Sequence, residues 1–145
     1  METNHAVKLS QWDALMLEGL RKRSGSDEEL LRKVRERELP VDESIYQFDY
    51  EALADFAAAH PDTFEAAVKE GYSIKYSTVR GIRSWINVTY VQEPELVLDE
   101  GQESVIATLS PAEKERLESV LSFGWRVREE RPGEAGVYQI EPIQR

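Results

Sequence analysis

The stretch Ser77-Thr78-Val79-Arg80-Gly81-Ile82-Arg83-Ser84-Trp85-Ile86-Asn87-Val88-Thr89-Tyr90-Val91 decides how the chain is read. Val79, Ile82, Trp85 and Ile86 recur at spacings of three and four, which places them on one side of an α-helix. Arg80, Arg83, Ser84 and Asn87 fall on the opposite side. From Ile86 onward the period changes to two: Ile86, Val88 and Tyr90 alternate with Asn87, Thr89 and Val91. The reading is a helix over 77–87, followed by a strand that Pro94 limits.

Upstream, helical spacing dominates. Leu9, Trp12, Leu15, Met16 and Leu20 share one side of a helix over 8–23, which Gly25 ends. Ser26, with Glu29 three residues on, reads as a capping box for a second helix, to about Glu38. Asp49 caps a third helix through His60, with Leu53, Phe56, Ala57 and His60 on its inner face. Pro61 breaks it, and Asp62 with Glu65 restarts a fourth that carries Phe64, Ala67 and Val68 to Gly71. Residues 72–76 read as a linker.

Downstream, Glu95–Leu98 and Ser104–Leu109 read as a hairpin around Asp99–Gln102. Ser110-Pro111-Ala112-Glu113 supplies an N-cap, a proline at the first helical position and the acid of a capping box. That helix carries Leu117, Val120 and Leu121 inward and ends near Gly124. Trp125 and Val127 then alternate with Arg126 and Arg128. A turn at Pro132–Gly136 and a strand Val137–Ile140 close a second hairpin. Trp12, Trp85 and Trp125 all sit in apolar periodicity and are expected in the core. The class is α+β: a helical N-terminal half of four to five helices, then β-hairpins with one inserted helix, winged-helix-like at its closest. Residues 1–40 are expected to form a helical arm or appendage, and 41–145 the core domain.

Charge sharpens the functional question. The chain has 145 residues, with 28 acids against 18 bases and a net charge of -10. That field disfavours general polyanion binding and is compatible with a basic protein partner. Residues 71–91 depart from it, with three bases and no acid, where the average density predicts about four acids. No cysteine is present, so there is no thiolate nucleophile and no disulfide framework. Neither a signal peptide nor a membrane span is expected, and a cytoplasmic location is.

Catalytic signatures are absent: no paired-histidine spacing, phosphate-binding glycine loop or nucleophile elbow occurs. His60 is placed to interact with a helix dipole. No cofactor or metal is implied. Carboxylates scattered along the chain leave an enzyme as one alternative.

Residues 62–87 resemble a helix-turn-helix in their order of helix, glycine turn and basic helix. The resemblance covers about 26 residues. It implies that Arg80, Arg83, Ser84 and Asn87 face a DNA groove and that Lys75, with Ser77 and Thr78, meets phosphate. With Gly71 in a compact turn, however, the inward positions fall on Ser77 and Arg80 instead of Val79 and Ile82. The reading preferred here is a non-enzymatic regulatory or interaction protein that binds a protein partner. One surface is Lys75, Arg80, Arg83, Ser84 and Asn87. The other is an acidic face of Asp42, Glu43, Asp49, Glu51, Asp55 and Asp62. A DNA-binding regulator is the alternative, and the N-terminal helices are a possible homo-oligomer contact.

Overall fold

The computed structural model describes residues 7–129 and 136–143. The chain is α+β, with a helical N-terminal half and an antiparallel sheet in its C-terminal part.

Most helix starts follow from a side-chain cap. The Ser10 side chain accepts from the Asp13 N–H, so α1 spans Gln11–Lys22. Leu9 is therefore not on the helix. Lys8–Leu9 forms a short strand, β1, parallel to β2 at Ser73–Ile74, with Leu9 opposite Ile74. The expected linker at 72–76 thus contains a buried strand.

Ser26 caps α2, Asp27–Glu36. Its box is half made: the Glu29 carboxylate takes two bonds from Arg32 instead, at 3.0 and 2.6 Å. A charge-assisted fork outcompetes a neutral backbone N–H.

Asp49 caps α3, Tyr50–Ala59, and accepts from the Glu51 N–H. Pro61 begins α4, Pro61–Glu70. It occupies the first-turn position where a missing N–H costs nothing. His60 is shared, as C-cap of α3 and N-cap of α4.

Thr78 caps α5, Val79–Tyr90. The strand expected over 86–91 is helix up to Tyr90. Trp85, Ile86 and Thr89 are buried together on one helical side, and that burial prevails over the local alternation. The helix stops at Val91, whose φ of 54° is left-handed.

Strands β3 (Glu95–Val97), β4 (Ser104–Thr108), β5 (Trp125–Glu129) and β6 (Val137–Pro142) form one antiparallel sheet in the order β3-β4-β6-β5. The helix α6, Pro111–Val120, lies between β4 and β5 in sequence and carries the complete Ser110–Glu113 capping box. It ends four residues before Gly124. The turn expected at 132–136 lies outside the described residues apart from Gly136.

Leu9, Leu20, Leu53, Phe64, Trp85, Leu117 and Ile140 belong to one buried apolar cluster. It runs across residue 40, where an arm was expected to end: α1 packs on α5, and α2 packs on α3 and α4. Trp85 is buried and Trp125 partly so, but Trp12, expected in the core, is about half exposed. No helix among the described residues is long and apolar enough to cross a membrane.

Candidate interaction surface

Helix α5 rests on a buried polar frame. Glu18 of α1 is 2% exposed. It accepts from the Tyr72 hydroxyl at 2.6 Å and from Arg116 Nη2 at 2.6 Å, and Arg21 approaches its other oxygen at 3.3 Å. Trp85 Nε1 donates to the Tyr72 oxygen at 2.8 Å, and the Arg116 guanidinium lies 5.1 Å from the Trp85 ring centre. The Glu18 carboxylate therefore joins α1 to α6 directly, and to α5 through Tyr72, the residue before β2. A buried charge is tolerable only when its acceptor sites are filled, and these are. Burial, with the nearby Glu18 charge, pushes the Tyr72 phenol well above its ordinary range. Burial also pushes Tyr90 up to about 12. For Arg116, burial opposes the charge, but Glu18 more than offsets it and holds the guanidinium above its ordinary value. Sequence reasoning missed this frame, because Glu18 and Arg116 are 98 residues apart.

The outward side of α5 carries the basic residues expected there. Lys75 and Arg80 are exposed, and Arg83 and Ser84 are partly exposed. Seven other arginines among the described residues form ion pairs: Arg21, Arg23, Arg32, Arg37, Arg116, Arg126 and Arg128. Lys75, Arg80 and Arg83 make no ion pair with any described residue. Asn87 is differently placed. Its Oδ1 accepts from the Tyr46 hydroxyl at 2.7 Å and its Nδ2 donates to the Gln92 carbonyl at 2.7 Å. Its amide is a structural tie between the 41–48 loop and the end of α5.

Apolar groups flank these cations. Tyr46 stacks on Phe48 at 5.1 Å, and Trp12 meets Phe48 edge-on at 5.1 Å. An aromatic row thus runs from α1 through the loop to Asn87. Ile45 in that loop and Val91 at the end of α5 are exposed. At the other end of α5, the Ser77 N–H donates to Ser122 Oγ at 2.9 Å, and the Ser122 N–H donates to Ser77 Oγ at 3.1 Å. This reciprocal pair ties the segment before α5 to the end of α6. Beside it stand Tyr76, 84% exposed, and Phe123, 96% exposed.

The arrangement of α4 and α5 differs from a compact helix-turn-helix. Helix α4 packs chiefly on α3 and α2, and α5 packs on α1, β4 and β3. Strand β2 is inserted between them and pairs with β1. The intervening segment is longer than a glycine turn, and that length is what allows Val79 and Ile82 to face the body.

The six acids do not form one free face. Asp42 is buried, accepting from the Ser44 hydroxyl and from the Ser44 and Phe48 N–H groups, with Arg23 at 3.5 Å. Burial opposes its ionisation, but the Phe48 and Ser44 hydrogen bonds hold its carboxyl below the ordinary range. Glu51 and Asp55 both pair with Arg37, at 2.7 and 2.9 Å. Asp49 caps α3, while Glu43 and Asp62 are exposed. On α2, Glu29 pairs with Arg32 at 2.6 Å.

A cleft of about 490 Å³ bordered by Arg21, Lys69, Glu70, Tyr72 and Arg116 adjoins the buried frame. Its cations are taken up by Glu18, Asp27 and Glu65. Among the described residues, no three acids or histidines come together to hold a metal ion. Compared with known protein families, curated proteins and solved structures, the chain matches none.

Proposed function

We propose that this chain is a non-enzymatic interaction protein that contacts a protein partner through the outward side of α5. The observation that carries the reading is that Lys75, just before α5, and Arg80 and Arg83 on it pair with no described residue, in a chain of net charge -10 where, of the other described arginines, all but Arg35 form ion pairs. Charged groups left free on one face add little to the fold. They gain value when a partner desolvates and pairs them. The flanking Trp12, Ile45 and Val91 supply the apolar area that such contacts bury. Because Lys75, Arg80 and Arg83 pair with no described acid while Asp42, Glu51 and Asp55 are engaged internally, the complementary partner surface is acidic rather than basic.

DNA is the second reading. It is favoured by Arg80, Arg83 and Ser84 sharing one helical side. Against it stand the repulsive field of the net charge and the engagement of both ends of the Asn87 amide.

The test is selection of a random phage-displayed peptide library on the protein, beside anisotropy with labelled duplex DNA over a salt series. The reading expects selected peptides that lose binding to Arg80→Ala/Arg83→Ala, and no DNA affinity at moderate salt. DNA binding that weakens steeply with salt and with the double variant would move the assignment to the second reading.

A further inference from the structure

We infer that Tyr76 and Phe123 are the anchor of this surface, and that they receive an acidic peptide segment carrying an apolar side chain. The inference rests on the partner-binding reading above and adds to it where the partner seats and what chemistry it presents. Two large aromatic rings this exposed, on segments tied together by two hydrogen bonds, are uncommon on a monomer surface. The Ser77–Ser122 pair fixes both backbones. An apolar group inserted beside the rings therefore orders little that is not already ordered, and aromatic anchors of this kind carry much of the binding energy at interfaces.

Charge selects the partner. Lys75 directly precedes Tyr76, and Arg80 lies four residues beyond it in the first turn of α5. Neither makes an ion pair with a described residue. Lys8, exposed on β1 opposite Ser73, adds a cation to the same end of the molecule. A segment whose apolar side chain meets Tyr76 and Phe123 can thus bring carboxylates to Lys75 and Arg80. A continuous polyanion meets the same cations, but also the field of a strongly acidic molecule. A short segment with few charges gains the local attraction and avoids most of that repulsion.

The experiment measures anisotropy of a labelled peptide in which leucine and tryptophan alternate with glutamate. Its controls are a glutamine-for-glutamate peptide, a serine-for-apolar peptide and duplex DNA. The acidic apolar peptide is expected to bind, and both altered peptides and Tyr76→Ser/Phe123→Ser to weaken binding about tenfold or more. Because both side chains are exposed, the variant should keep its unfolding midpoint. Binding lost in Arg80→Ala/Arg83→Ala but unchanged in Tyr76→Ser/Phe123→Ser would overturn the anchor and leave the α5 reading standing. Equal binding of the glutamine peptide, binding of DNA alone, or binding of none of the probes would overturn the inferred partner chemistry.

Discussion

The Tyr72 hydroxyl donates to the Glu18 carboxylate at 2.6 Å while its oxygen accepts from Trp85 Nε1 at 2.8 Å. This relay places α5 against α1 and so sets the direction in which Arg80 and Arg83 point. Removing Glu18 leaves the partly buried Arg116 and the Tyr72 hydroxyl without their acceptor. Glu18→Ala should cost about 3 kcal/mol of stability, and Tyr72→Phe about 1.5–3 kcal/mol. Urea denaturation checks both. A loss below about 1 kcal/mol for Glu18→Ala would mean the carboxylate is not what joins the elements.

Stability depends on pH at both ends, through buried phenols on the alkaline side and hydrogen-bonded or ion-paired carboxylates on the acid side. Tyr72, Tyr90 and Tyr50 have folded pKa values raised above the unfolded value, Tyr90 to about 12. Their contribution is complete below the unfolded value of about 10 and is lost as pH rises from there through the folded values. Asp42 and Glu141 are held low, Glu141 by Arg128 first and then Arg126. Their contribution is present above their unfolded values and is lost as pH falls through the folded ones. Chemical-denaturation midpoints across pH should form a plateau that declines on both sides. Tyrosinate absorbance should show at least one phenol titrating only as the chain unfolds.

Val91 is a β-branched residue in left-handed backbone at φ 54°, three-quarters exposed. That conformation costs a non-glycine residue roughly 1–2 kcal/mol. Val91→Gly relieves it at the expense of a looser unfolded chain. The net expectation is a gain of about 1 kcal/mol in thermal or urea unfolding. If the partner surface extends to this end of α5, the same variant weakens partner binding despite its greater stability.

A Cβ at Gly81 would collide with the Gln11 side-chain amide, which accepts from the Thr78 N–H at 3.0 Å and donates to the Thr78 hydroxyl at 3.1 Å. In the wild-type background, Gly81→Ala displaces this α1–α5 tie, offsetting the alanine's helical advantage. In Gln11→Ala, the same substitution should recover the full gain of about 1 kcal/mol. A double-mutant cycle with clear non-additivity is the expected result, and simple additivity would contradict it.

Most of the helical boundaries were legible because they are written in local chemistry. Asp49 and the Ser110–Glu113 box cap within a few residues of themselves, though the Ser10 start of α1, the helix end at Val91 and the shared His60 needed the structure. What resisted reading was non-local. Lys8–Leu9 is a strand only because Ser73–Ile74 lies beside it. Helix α5 continues to Tyr90 because the body buries Trp85, Ile86 and Thr89 together. The cations of the site were visible as an acid-free window. Their freedom from ion pairs was not, nor was the exposure of Tyr76 and Phe123, whose neighbouring serines meet across 45 residues.

The most direct measurement of the central claim is anisotropy of library-selected peptides on wild type and Arg80→Ala/Arg83→Ala, with unfolding midpoints recorded for both proteins. The account predicts equal midpoints, since neither arginine forms an ion pair with a described residue, together with binding lost in the variant. Equal binding by the two proteins at equal stability would contradict it.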